Sequence, residues 1–263
     1  MKFKLFSIDN RWKLAIKTIP FLLIILLLKF TVHSIGYEFL NLNSLFTAII
    51  SANIFLIGFL ISGVLVDYKE SEKLPGDLSV SIEAITDETL IIYQNKKSKE
   101  SKDCIFHILQ FNKLLIDWFY KKERTNTLMQ KLLEFNTFFL AFESQTQANF
   151  IVRMKQEQNA MRRMITRIHT IRETSFLGTG YAIAEIITTI LISGLIFIKM
   201  DPFYESCFFV SFVSFILIYM IFFIKDLDNP FGYALEENLV EEVSLKPLLD
   251  SKNRLESYYK DLS

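Results

Sequence analysis

The chain is predicted to be an all-α membrane protein, with four transmembrane helices and a cytosolic helical bundle. Its 263 residues are 51% hydrophobic and 22% charged, with 26 Phe and a mean hydropathy of +0.29. That is too apolar for an ordinary soluble domain and too charged for a chain wholly within lipid. Four apolar runs, about 19–37, 45–68, 176–198 and 207–224, are each long enough for a bilayer, which needs roughly 20 residues. The long segment between the second and third runs has a single proline and a single glycine, adjacent at Pro75 and Gly76, so little in it interrupts helix.

The first run follows an arm bearing Lys2, Lys4, Arg11, Lys13 and Lys17. No small-residue cleavage site follows it and a second run comes at once, so it reads as a retained span and not a signal peptide. Lys and Arg are also frequent between Lys69 and Arg172 and after Lys225. By contrast, residues 34–44 carry none and 199–205 carry one. The positive-inside bias therefore predicts cytoplasmic N and C termini and a cytosolic middle segment in a cell-membrane protein. The chain divides into an arm and first transmembrane hairpin (1–68), a cytosolic helical region (69–173), a second hairpin (174–225) and a cytosolic tail (226–263).

In the cytosolic region Leu128, Leu132, Phe135, Phe139 and Phe142 recur at helical spacing, as do Phe150, Met154, Met161, Ile165 and Ile168. These stripes read as the packed faces of helices and not as a cofactor site. Arg153, Arg162, Arg163, Arg167 and Arg172 lead into the third span and read as positive-inside, headgroup-facing residues or as a basic vestibule.

The second run carries the most informative pattern. At about 100° per residue, Ser44, Thr47, Ser51, Phe55, Gly58 and Ser62 share one stripe. The rest of that surface is almost entirely Ile, Leu, Val and Phe, with Asn53 the main exception. Small and hydroxyl residues in a bilayer either let helices approach closely or face a water-filled path. Two ionisable residues, Lys29 and Glu185, fall inside apolar runs. Pairing with each other, buried or facing a watery interior, would remove the cost each bears alone.

The sequence has no phosphate loop and no nucleophile elbow. His33, His107 and His169 are scattered, and Cys104 and Cys207 show no metal-type spacing. An enzyme is not expected, nor a cofactor or metal. A net charge of zero argues against nucleic acid as a partner.

Phe55-Leu56-Ile57-Gly58-Phe59, on a helix that continues through Asp67-Tyr68-Lys69-Glu70 to Leu74-Pro75, resembles the second transmembrane helix of bestrophins. Asp228-Asn229-Pro230-Phe231-Gly232 resembles the Asn-Pro-Phe-Gly that closes the bestrophin membrane domain. The layout of four spans is similar to that of bacterial bestrophin-like proteins. Bestrophins are pentameric anion channels, and in them the helix bearing this Phe motif lines the axial pore. The resemblance implies a homo-oligomer, a pentamer, that conducts small inorganic anions such as chloride across the lipid bilayer. Ser51, Phe55, Phe59 and Ser62 would then line the pore. The alternative is a membrane-anchored helical signalling or scaffold protein without a pore.

The sequence departs from the animal members after Gly232. There Glu236, Glu237, Glu241 and Glu242 are too dispersed for a calcium clasp, which takes six to eight oxygens. The tail is expected instead to strap neighbouring subunits through Leu239, Val243, Leu245, Leu248 and Leu249.

Overall fold

The structure, a computed structural model, describes residues 12–174, 178–232 and 242–262. In chain order the elements are α1 (Lys13–Ile35), β1 (Leu40–Asn41), α2 (Ser44–Lys96), α3 (Lys99–Phe119), α4 (Thr125–Leu133), α5 (Phe135–Phe142), α6 (Ala148–Glu173), α7 (Gly178–Phe197), β2 (Ile198–Lys199), α8 (Phe203–Leu227) and α9 (Lys246–Asp261). Four helices among the described residues are long and apolar enough to cross a membrane, as the apolar runs predict. The chain forms two compact units, Met1–Asp67 with Ser175–Asp228, and Tyr68–Thr174 with Asn229–Ser263.

In the first unit α1, α7 and α8 pack on one another, around Ile25, Leu195, Ile196, Ile198 and Val210. Leu23, Leu27, Ile190 and Phe208 are exposed on the outside, the arrangement expected where lipid is the solvent. α1 ends at Gly36, whose φ of +74° is left-handed; its N–H donates to the His33 carbonyl, the usual glycine stop that satisfies a last-turn carbonyl. β1 and β2 pair in parallel, Leu40 opposite Ile198 and Asn41 opposite Lys199. This two-residue ladder was not foreseen in the sequence. α1 begins at Lys13, earlier than the apolar run, because Lys13 and Lys17 extend the helix without adding hydropathy. The first residue of the third predicted span, Phe176, lies outside the described residues.

α2 contributes to both units, and it remains helical through Pro75, which has no N–H to give the Ser71 carbonyl. The second unit is built on α3 and the helices around it. Ser98 caps α3 by accepting from Ser101 N–H at 3.2 Å, a side-chain replacement for one missing intrahelical partner. Leu128, Leu132, Phe135, Phe139 and Phe142 are buried, although Glu134 separates α4 from α5. Met154, Met161, Ile165 and Ile168 of α6 are buried with them, as their spacing predicts, whereas Phe150 at the start of that stripe is only half-buried.

Phe231, of the Asn-Pro-Phe-Gly stretch, is wholly buried in this unit, its ring 5.6 Å from that of Phe119. The Pro230 carbonyl accepts from Val243 N–H at 3.1 Å. The expected strap differs from what is found. Val243, Leu245 and Leu248 lie in the core of their own chain because α9 packs on α3, where Asn112 Nδ2 donates to the Leu248 carbonyl at 3.3 Å. Leu249 is half-exposed. Leu239, Glu236, Glu237 and Glu241 lie outside the described residues.

The arginines of α6 are largely engaged within the same unit. Arg167 grips Glu70 with two bonds, 3.0 and 2.6 Å. Arg153 meets the buried Glu88 at 2.7 Å, and Arg172 donates to the Trp118 carbonyl at 3.1 Å while lying over its ring. Both cysteines are free thiols.

Candidate pore-lining face of α2

The membrane half of α2 has two unlike faces. Asn53, Ile57, Leu60 and Val64 are buried, each at 1% exposure or less, and their spacing of four, three and four residues is one helical stripe. This stripe carries the packing inside the protomer. Asn53 Nδ2 donates to Thr188 Oγ1 of α7 at 2.9 Å. Two turns nearer the start of α2, Phe46 lies so close to Gly194 of α7 that a Cβ there would come within 2.8 Å of its ring. Gly194 is the residue that lets α2 and α7 approach.

Ser51, Phe55, Phe59 and Ser62 lie on the exposed part of the helix. Phe55 is 77% exposed and Phe59 62%. A Cβ added at Gly58 would meet nothing within 4 Å, so the small residue in this stripe is not there to admit a helix of the same chain. Among the described residues of one protomer, close packing therefore does not account for Gly58. Ser51 Oγ donates back to the Thr47 carbonyl at 3.0 Å, and Thr47 Oγ1 to the Asn43 carbonyl at 3.2 Å. With its proton held by the helix, each hydroxyl turns outward as an acceptor that water can hydrate. None of the four candidate residues is charged.

Lys29 and Glu185 do not meet. Lys29 is fully buried, bonded to Glu38 Oε1 at 2.6 Å and, at closer range, to the Ile198 carbonyl. Glu38 reaches back with its other oxygen to His33 Nδ1 at 2.9 Å, and the His33 ring stacks on Phe203 with centroids 3.8 Å apart. Glu185 pairs with Lys225 at 2.8 Å, both partly exposed. The expected mutual pair is thus replaced by two separate ones. The loop after α1 folds Glu38 back onto Lys29, and α8 brings Lys225 beside α7. Among the described residues no group of three or more His, Cys, Asp or Glu side chains could hold a metal ion.

Solved structures share this fold. A point variant of a bacterial bestrophin homolog from Klebsiella pneumoniae matches with a TM-score of 0.73 at 16% identity, over 94% of this chain and 99% of that one. Another variant from the same organism gives 0.75 at 16% identity, over 94% and 98%, and a variant membrane protein gives 0.75 at 15%, over 94% and 98%. No protein-family model matches the sequence, and no curated protein does. The chain is an all-α membrane protein with four membrane-length helices among the described residues. Its fold is that of the bacterial bestrophin homologs.

Proposed function

We propose that this protein is an oligomeric ion channel that conducts small anions such as chloride through an axial pore, lined by Ser51, Phe55, Phe59 and Ser62 of α2. One observation carries the reading: on a helix that packs inside its protomer through Asn53, Ile57, Leu60 and Val64, the stripe of Ser51, Phe55, Phe59 and Ser62 is left uncovered, flanked by exposed aliphatic side chains such as Ile54 and Val66. A single exposed face cannot enclose a path, so copies of the chain close it around a symmetry axis, as a pentamer on the bestrophin pattern. Serine hydroxyls hydrate an ion at Ser51 and Ser62. Rings of Phe55 and Phe59 between them narrow and dry the path. Aromatic edges carry partial positive charge, which favours an anion without a fixed cation to retain it.

In this reading both termini and the second unit are cytoplasmic, following the distribution of Lys and Arg. The experiment is efflux from chloride-loaded liposomes containing the purified protein. Chloride release well above that of protein-free liposomes supports the channel; release equal to theirs overturns it.

A further inference from the structure

A cavity of about 470 Å³ lies within the first unit, walled by α1, α7 and α8. Its size falls in the range of roughly 300–1,000 Å³ typical of ligand sites. Its walls include Phe21 and Leu28 of α1, Ile192 of α7 and Ile218 of α8. Phe21 and Leu28 are nearly half exposed, so the cavity is a groove open along its outer side. Two hydroxyls in its wall give their protons to the helix backbone, Thr189 Oγ1 donating to the Glu185 carbonyl and Ser193 Oγ to the Thr189 carbonyl, each at 2.8 Å, so they add acceptors but no donor to an otherwise mostly apolar wall.

Charge is gathered at one end. Glu185 and Lys225 line the groove there, 2.8 Å apart, and the Lys17 ammonium lies 5.2 Å from the centroid of the lining Phe222 ring. Two ammonium groups and one carboxylate thus gather at this end. From Phe21 to Leu28 the groove follows α1 for about 10 Å, and Lys17 lies about 6 Å further along the helix, a combined span close to the ~15 Å depth of one leaflet's hydrocarbon. Length, apolar wall and cationic mouth together match one class of ligand.

We propose that this groove binds an anionic phospholipid, with an acyl chain along Phe21, Leu28, Ile192 and Ile218 and the headgroup phosphate at Lys17 and Lys225. Basic pockets between membrane helices are suited to such headgroups. Lys225, already held by Glu185, positions the phosphate, and Lys17 supplies the charge that Glu185 does not balance. The proposal requires membrane insertion and does not depend on the pore.

The test uses the full-length protein reconstituted in vesicles of equal dioleoyl-phosphatidylglycerol and dioleoyl-phosphatidylcholine, then extracted in mild detergent, washed, and analysed for retained lipid by native mass spectrometry. The wild type is expected to retain phosphatidylglycerol preferentially. Lys17→Gln, on an exposed side chain, should reduce that preference about fivefold, the effect of one surface cation. Ser193→Trp, which fills the groove from an exposed position, should abolish retention of both lipids. Equal retention of the two lipids by the wild type would overturn the proposal, as would retention that Ser193→Trp leaves unchanged. So would a wild type that retains no lipid while Ser193→Trp dissociates the oligomer, since a second copy of the chain would then be the occupant.

Discussion

Asn53 of α2 donates to Thr188 of α7 across 2.9 Å, and both side chains are buried. At about 100° per residue, Phe55 lies roughly 200° around the helix from Asn53. The hydrogen bond therefore fixes the rotation that turns Phe55 outward. Asn53 Oδ1 is buried and accepts no hydrogen bond from the described residues, so the single bond through Nδ2 pins the helix rotation more than it adds stability.

The two ends of that bond should respond unequally to substitution. Thr188→Val strands the Asn53 amide and is expected to cost about 1–3 kcal/mol. Asn53→Leu removes the amide altogether and should cost only ~0.6 kcal/mol, the average for a hydrogen bond between bilayer helices. Thermal unfolding in detergent distinguishes them: Thr188→Val should melt lower than Asn53→Leu. The reverse order would show that the bond is not the pin described here.

The Lys29–Glu38 pair should be sensitive to loss of either member. Lys29 is fully buried and Glu38 nearly so. Glu38→Gln leaves a buried cation without its anion and is expected to destabilise by about 3–5 kcal/mol, whereas replacing both charges with apolar groups should be much milder. A double-mutant cycle on melting checks this; additive effects would count against coupling between the two residues.

Acid should weaken the second unit through His107. Its Nε2 lies 3.1 Å from the Lys131 carbonyl and its ring meets Phe135 edge-on. Burial first, and then the Lys131 ammonium, hold its pKa below the ordinary value of 6.5. Below that pH an unfolded chain takes up a proton that the folded one refuses, so stability declines as pH falls from 6.5 and levels off beneath the folded pKa. His107→Phe should lose less stability than wild type between about pH 7.5 and about pH 5.5. Equal losses would mean that His107 is protonated as readily in the fold as outside it.

Assembly is a separate consequence of the uncovered α2 face. Native mass spectrometry in mild detergent should give a closed ring of identical subunits, a pentamer on the bestrophin pattern. A monomer would leave the face without any axis to line.

Much of this architecture is legible in the sequence because it rests on local periodicity. Apolar runs mark the membrane helices, and spacing alone picks out Leu128 through Phe142 and Met154 through Ile168 as buried stripes. The exposed stripe of α2 is readable for the same reason, although spacing does not separate the buried Ile57, Leu60 and Val64 from the exposed Ile54 and Val66. Partnerships made by chain reversal are not readable this way. Glu38 is only nine residues from Lys29, yet their pairing depends on how the loop after Gly36 turns back. The two-residue ladder of β1 and β2 is too short to leave a pattern. The burial of Val243, Leu245 and Leu248 in their own chain depends on where α9 docks, and apolar residues in a tail look the same whichever surface they cover.

Planar-bilayer conductance of Phe55→Ala, with unfolding measured in parallel, tests the central claim most directly. Phe55 is 77% exposed, whereas Ile57, two residues away, is wholly buried. Trimming Phe55 should therefore widen and wet the path, raising conductance and weakening discrimination among anions, with the melting temperature almost unchanged. Ile57→Ala provides the control and should cost about 2–5 kcal/mol of stability. Unchanged conductance in Phe55→Ala together with a lowered melting temperature would contradict the account, because Phe55 would then be a packing residue and not part of a pore.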